Sequence, residues 1–228
     1  MKRSEINKAL KELEQMIETY RISLPPFCNF TPKEWASKGH DYDEVRDNML
    51  GWDITDYGSG NFEKIGFSLI TLRNGNVKMD KYTKSYAEKL LFLKEGQYSC
   101  NHFHWNKMED IINRGGGVLI IRVYNSLADG SVDRAGDVRI LTDGMERYVP
   151  AGTDVEITRG NSMTIYPGLY HLFTPKKGCG DLIVGEVSSI NDDRTDNYFE
   201  EKRPRFIPVE EDVPVEVPLC NEYGRLLF

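Results

Sequence analysis

The chain is poor in the residues that would tie it to an oxidising compartment, a membrane or a nucleic acid. Its 228 residues include four cysteines, Cys28, Cys100, Cys179 and Cys220. They are scattered and form no Cys-x-x-Cys pair, so neither a disulfide framework nor a thiolate zinc site is indicated. We read them as reduced thiols of a cytoplasmic protein. No apolar run approaches the roughly 20 residues that span a bilayer, so no membrane association is expected. Positive charge is in deficit. With 29 Lys and Arg against 36 Asp and Glu, the formal net charge is −7, which argues against a nucleic-acid partner. The opening MKRSEINKALKELEQ runs from basic to mixed polar residues without an apolar stretch, so no secretory signal is expected. Long repeats, low-complexity tracts and dividing linkers are also missing.

What is present is a soluble globular composition, 39 % hydrophobic and 29 % charged. The length fits one domain of sandwich or barrel type with extensions. Residues 4–20 carry Ile6, Ala9, Leu10, Leu13, Met16, Ile17 and Tyr20 at helical spacing, with Ser4 as the cap and LPPF as the stop. A second short helix is predicted at TPKEWASKG, capped by Thr31 with Pro32 in its first position, and a third at DYDEVRDNML. Residues 1–60 are thus expected to be a helical extension. From residue 62 the pattern turns to short β-rich runs punctuated by Gly, Pro and Asp-Gly, among them a predicted hairpin at Asn74-Gly75. The runs YAEKLLFLKEGQ, YSCNHFHW, GVLIIRVYN, GDVRILTDG, ERYVPAG, DVEITRG, SMTIYPG, YHLFTP and DLIVGEVS make residues 62–190 a β-barrel core. Residues 191–228, polar and then proline-spaced, read as an extended arm over the barrel.

Two of the four histidines, His102 and His104, are two residues apart in GQYSCNHFHWNKMEDIINRGG. On a strand they face the same way, with Phe103 turned to the other side. Glu109 can return to the same place after a turn. Two imidazoles and a carboxylate suit a divalent first-row metal, and a further ligand must come from His40 or His171. His171, at a predicted strand start in YPGLYHLF, is the better placed. The alternative reading is a strand with two polar residues on its wet face.

The glycines decide between these readings. Gly96 and Gly116 complete the pattern Gly-x5-His-x-His-x4-Glu-x6-Gly, which looks like the first motif of the cupin superfamily. GNSMTIYPGLYHLF resembles the second motif through Gly160, Gly168 and His171. Pro167 comes one place late, and Pro175 stands where an Asn is usual. The resemblance implies a mainly β cupin jelly-roll, a double-stranded β-helix spanning residues 1–228 as one domain. It implies the metal ligands His102, His104, Glu109 and His171. HFHWNKMEDIINRGGG, YAEKLLFLKEGQ, YPGLYHLF and GEVSSINDDRTDN extend the likeness, over most of the chain, to the D-lyxose isomerases of that superfamily. That family interconverts D-lyxose and D-xylulose, usually with manganese, and often accepts D-mannose and D-fructose. The resemblance therefore implies an aldopentose or aldohexose substrate and Mn2+, with Co2+, Zn2+ or Fe2+ permitted by the ligands.

Other activities use such a site: a cupin oxygenase or decarboxylase, a non-catalytic sugar-binding cupin, and the archaeal-type glucose-6-phosphate isomerase, for which no phosphate-binding basic cluster is evident. Isomerisation needs an acid/base group within hydrogen-bond reach of the migrating proton. The candidates are Glu186 on the apolar run DLIVGEVSS, Glu210 and Glu211 if the arm folds over the mouth, Lys89 in YAEKLLFL, and Lys107 in the motif turn. Arg205 is a candidate for a substrate hydroxyl or an acid partner. Each also has a plain reading as a solvated or rim charge. Cys100 is either a pocket residue or a buried filler. RGGG at 114–117 lacks the Lys-Ser/Thr of a phosphate cradle, and NDDRTDN at 191–197 is read as a hydrogen-bonded loop. Trp35, Trp52 and Trp105 are assigned to core or interface. A homodimer is expected, two-fold dimers being the commonest homo-oligomers.

Overall fold

A computed structural model describes residues 1–225. Helix α1 (Arg3–Thr19) buries Ile6, Ala9, Leu10, Leu13 and Ile17, the stripe read from the sequence. It starts one residue before the expected point. Ser4 is not its cap; the Ser4 hydroxyl donates instead to Asp212 at 2.6 Å, and the Glu5 carboxylate accepts the Lys2 backbone N–H at 2.7 Å. Helix α2 (Pro32–Ala36) is capped as predicted, with Thr31 Oγ1 accepting from Glu34 N at 3.3 Å, and α3 (Asp43–Asp47) follows.

The strands run in chain order as β1 (Gly51–Thr55), β2 (Phe67–Arg73), β3 (Tyr86–Leu93), β4 (His102–His104), β5 (Glu109–Gly116), β6 (Leu119–Ser126) and β7 (Val132–Asp133). They continue as β8 (Asp137–Thr142), β9 (Met145–Pro150), β10 (Asp154–Ile157), β11 (Ser162–Ile165), β12 (Leu169–Pro175), β13 (Leu182–Ser189) and β14 (Asn197–Phe199). One antiparallel sheet has the order β1-β2-β3-β13-β5-β11-β8-β9, and a second β10-β6-β12-β4-β14, with β7 added on β6. Leu69, Leu91, Ile111 and Val184 from the first sheet pack against Ile121, Val123 and Phe173 from the second. This is the curled, two-sheet jelly-roll expected of a cupin. Among the described residues no helix is long and apolar enough to cross a membrane.

Three departures from expectation have physical causes. The segment read as purely helical extension contains β1, whose Trp52 and Ile54 lie under α1 with Ile70, Phe92 and Ile183. An extra strand was needed to give the helix a sheet to cover. Asn74-Gly75 makes no two-residue hairpin: β2 and β3 pair, but residues 74–85 separate them. The Asn74 side chain is spent on distant backbone, donating to Asn191 O at 2.9 Å and accepting Asn191 N at 3.0 Å. The arm contains β14, which pairs with β4. Beyond it the chain returns alongside α1, with Arg3 N donating to Glu210 O at 2.8 Å and Glu210 N to Met1 O at 3.1 Å.

Candidate metal centre and active site

The register of the sheets assembles the site. His102 is the cross-strand partner of His171 between β4 and β12, and β14 sets Asn197 opposite His104 and Phe199 opposite His102. In the facing sheet β5 begins at Glu109, opposite Ser188 on β13, and Glu186 is the cross-strand partner of Lys89. Imidazoles thus come from one sheet, and Glu109, Glu186 and Lys89 from the other. The ring nitrogens of His102, His104 and His171 lie within 4.8 Å of one another. Glu109 Oε1 sits 3.5 Å from His104 Nε2 and 3.3 Å from His171 Nε2. His40 is elsewhere, exposed beside Asp43.

The hydrogen bonds show what these nitrogens are for. His102 Nδ1 meets Cys100 O and His171 Nδ1 meets Leu169 O, each at 2.9 Å. A carbonyl only accepts, so both rings carry their proton on Nδ1 and present a bare Nε2 lone pair. His171 Nε2 is buried with no hydrogen-bond partner while it faces a carboxylate oxygen. Two acceptors in that opposition call for a cation between them. Charge agrees. Burial pushes all three imidazoles below their ordinary value, His104 to about 4, with Lys107 adding to the shift, so they are neutral donors near pH 7. Burial opposes ionisation of Glu109, but the Lys107 ammonium beside it holds it well below the usual carboxylate range. Three neutral imidazoles and one carboxylate fit a divalent first-row ion.

Behind this cluster runs a chain of buried ion pairs. Lys107 Nζ bridges Glu109 Oε2 at 2.6 Å and Glu186 Oε1 at 3.0 Å, and Lys89 Nζ reaches the same Glu186 oxygen at 3.2 Å. Lys89 is 3.9 Å from Asp193, which takes Arg205 at 3.2 Å, and Arg205 reaches Asp53 at 2.5 Å. Burial works against charge on Lys107, yet Glu109 and Glu186 raise its pKa above the ordinary lysine value. The cavity is about 30 Å³, walled by Tyr57, Asn197 and Phe199 besides the charged groups. That is room for about one water and far less than a sugar.

Of the predicted site residues, His102, His104, Glu109, His171, Glu186, Lys89, Lys107 and Arg205 converge here. Lys89 is not a rim lysine and Lys107, though in the turn, is not solvated, being 2 % and 3 % exposed. Glu211 does not converge. Its carboxylate is held by Arg3 of α1 through two bonds of 2.8 Å, and Glu210 lies beside it on the same stretch of arm. The arm pairs with the N-terminus instead of folding these acids over the mouth. Cys100 is the buried filler: it belongs to the inter-sheet core, and burial pushes its thiol up to about 11. Gly116 in RGGG lies where a Cβ would stand 1.9 Å from Asp181 O, so those glycines serve strand packing. Trp35 and Trp52 are buried as expected, but Trp105 is 51 % exposed. It packs edge-on against Phe103 and Tyr198 on the outer face of β4 and β14, where nothing further covers it among the described residues.

The sequence reading missed Asp53, Tyr57, Asp193, Asp196, Asn197 and Phe199. NDDRTDN is a hydrogen-bonded loop, with Thr195 Oγ1 donating to Asp192 at 2.9 Å, but it also delivers Asp193 and Asp196 inward. The usable signal was there: three acids in seven residues directly after the strand carrying Glu186. Tyr57 carried none. It sits at φ 52° in the turn after β1, a conformation that L residues rarely adopt.

Comparison with known proteins agrees with this architecture. Residues 1–223 match the D-lyxose isomerase family. A D-lyxose/D-mannose isomerase of Escherichia coli O157:H7 is 44 % identical over 227 residues, covering 99 % of both chains. One of Serratia proteamaculans is 41 % identical over 229 residues, covering all of both. Among solved structures, the L-ribose isomerase of Cellulomonas parahominis with L-psicose superposes with a TM-score of 0.57. It shares 16 % identity and covers 89 % of this chain and 93 % of its own. That of Acinetobacter sp. DL28 with L-ribose gives 0.54 at 11 % identity, covering 88 % and 93 %. The structural likeness fixes the class, a cupin-fold protein. The chain belongs to the D-lyxose isomerase family, a family of aldose–ketose isomerases, which sets aside the oxygenase, decarboxylase and non-catalytic alternatives.

Proposed function

We propose that the chain interconverts D-lyxose with D-xylulose and D-mannose with D-fructose, with a divalent metal, Mn2+ foremost, held by His102, His104, Glu109 and His171. The observation that carries this is the opposition of bare imidazole nitrogens to the Glu109 carboxylate, with Glu186 on the adjoining strand tied to two buried lysines. The metal would polarise the sugar carbonyl and stabilise negative charge on an enediolate.

The protein's own groups do the rest. Glu186 is the proton shuttle, taking a proton from one carbon of the aldose and returning it to its neighbour. Lys107 and Lys89 both bind its Oε1, which fixes the carboxylate and leaves Oε2 outside these contacts. Lys107, kept protonated by its two acids, can donate a hydrogen bond to a sugar oxygen on which charge develops. Phe199, Tyr57 and the two sheets exclude water from the reacting carbons. Free thiols accord with a cytoplasmic site of action, and we expect a homodimer, to be checked by sedimentation velocity.

The test is to strip the protein of metal, add back Mn2+, Co2+, Zn2+ or Fe2+, and follow D-xylulose from D-lyxose and D-fructose from D-mannose without oxygen. Metal-dependent ketose formation is expected. Absence of ketose from both sugars with every metal would sink the reading.

A further inference from the structure

The three imidazoles differ in what their outer nitrogen meets. Nδ1 of His102 and of His171 each donate to the carbonyl two residues earlier. Nδ1 of His104 is buried and has no hydrogen-bond partner, and Asp196 Oδ2 lies 3.9 Å from it. Asp196 is itself buried, on the loop between β13 and β14. Its other contacts converge on one place. Oδ1 accepts Asn106 N at 2.8 Å and Asn106 Nδ2 at 2.9 Å, Oδ2 accepts Lys107 N at 3.0 Å, and its carbonyl accepts Trp105 N at 3.1 Å. One aspartate therefore grips Trp105, Asn106 and Lys107, three of the four residues that join His104 to Glu109.

We propose that Asp196 is a positioning residue for the metal centre: when a divalent metal is bound by His104 Nε2, Asp196 Oδ2 accepts the His104 Nδ1–H. The inference rests on the divalent-metal reading above. A histidine that gives one nitrogen to a metal presents the other as an N–H donor, which in metal sites is regularly taken by a carboxylate or carbonyl that fixes the ring and raises its basicity. His102 and His171 already have carbonyls for that purpose. His104 alone is offered a carboxylate, and a displacement of about 1 Å brings 3.9 Å to hydrogen-bond length. The same oxygen holds the Lys107 backbone, so ring and turn are set together. The loop also carries Asp193 and leads into Asn197 and Phe199, which wall the cavity. The metal ligand His104 is thereby fastened to a wall of the cavity.

Metal binding separates this role from a mere clamp on the turn. The metal-free full-length protein is titrated with Mn2+, free ion being read by electron paramagnetic resonance. Asp196→Asn, which sets an amide donor against the His104 N–H, is expected to weaken the Mn2+ Kd by about 10- to 100-fold. Asn106→Ala removes a turn contact without touching His104 and should leave the Kd within roughly threefold of wild type. A wild-type Kd in Asp196→Asn overturns the proposal, and so does an equal loss in both variants, which would make Asp196 a structural clamp only. Should Asp196→Asn fail to fold, the wild-type protein loaded with Zn2+ still decides. The His104 Nδ1–H proton resonance should lie at lower field than those of His102 and His171, as a carboxylate partner requires. A His104 resonance level with the other two overturns the proposal. Failure of the wild type to bind any of the four metals would overturn the metal reading itself and this inference with it.

Discussion

Two groups of buried charge lie at different places in this molecule, and they are built on opposite plans. Where α1 meets the arm, Arg3 is completely buried between Glu211 and Glu222. Its Nε and Nη2 donate to the two Glu211 oxygens at 2.8 Å, Nη1 donates to Glu222 Oε2 at 3.2 Å, and Nη2 also pairs with Glu222 Oε1. Glu222 Oε2 takes the Leu219 N–H at 2.8 Å as well. Every Arg3 nitrogen has a carboxylate partner, and the group staples the first turn of the chain to residues more than two hundred positions away. In the barrel mouth, by contrast, cations share acceptors, and His104 Nδ1, His171 Nε2 and Arg205 Nη1 have no hydrogen-bond partner. Satisfied buried charge holds a fold together, while unsatisfied buried charge waits for something else. Burial and ion pairing alone do not separate the two plans; the unmet valences do.

That contrast breaks first at the ligands. His171→Ala should lose tight metal and turnover together, by more than about 100-fold, since removing a ligand exceeds the effect of removing its hydrogen-bond partner. Metal content after gel filtration and kcat read both. Full occupancy in the variant would mean that His171 is not a ligand. Glu186→Gln should separate what His171→Ala couples. It keeps metal, because Glu186 lies behind Lys107 and not among the nitrogens, but kcat falls by about 10²- to 10⁴-fold for loss of the acid/base group. Unchanged turnover would move the shuttle to another group on the cavity wall.

Arg3→Met is the matching cut at the staple. It leaves Glu222 buried and uncompensated, a loss of about 3–5 kcal/mol in unfolding free energy. Turnover of the folded fraction should stay at the wild-type level. Urea unfolding beside kcat measures this, and a kcat loss without a stability loss would mean that the two groups are coupled. The same logic extends to pH. The mouth imidazoles are held below 6.5, His104 to about 4, chiefly by burial, so below pH 6.5 the unfolded chain takes up protons that the folded one refuses. Metal-free stability should therefore fall as pH drops, by about 1.4 kcal/mol per pH unit for His104 until its folded-state value is reached. The staple contributes differently. Arg3 holds Glu211 below its usual 4.5, so its contribution is present above that value and lost only beneath it. Arg3→Met should lose most near neutral pH, where Glu222 is left buried and charged, and less toward pH 5 as that carboxylate takes up a proton, whereas the wild-type slope between pH 6.5 and about 5 belongs to the mouth. A flat wild-type profile there would mean that the imidazoles are not held neutral.

The sequence made some of this readable and hid the rest for definite reasons. His102, His104 and Glu109 announce themselves because their spacing is local, two apart on β4 and five on to the start of β5. His171 needed the second glycine-marked motif, since its pairing with His102 is set by sheet register, which no short stretch encodes. Glu186 was legible as a charge on an apolar strand, and Lys89 for the same reason; that they face one another became visible only with β3 and β13 side by side. Asp193, Asp196, Asn197 and Phe199 lay in polar sequence that gives no periodicity, and their roles come entirely from tertiary placement. The strand β1 was hidden in a segment of mixed composition. Glu211 was misplaced because a proline-spaced arm shows that it is extended but not where it runs; the buried Arg3 decided that.

Glu211→Gln is the finest cut between the two groups, because the same chemical change at Glu186 should do the most to turnover and here should do nearly nothing. The Glu211 side chain is 46 % exposed, and Arg3 keeps Glu222 on its other edge when the charge is removed. Glutamine retains one carbonyl acceptor for the guanidinium. The expected cost is therefore no more than about 1 kcal/mol in stability, the range of a solvent-exposed pair, with Mn2+ affinity and kcat unchanged. If kcat instead fell while unfolding stayed put, Glu211 would be acting at the mouth, and the arm would have to leave α1 during turnover. That would make the staple a gate, and Arg3→Met should then alter KM as well as stability.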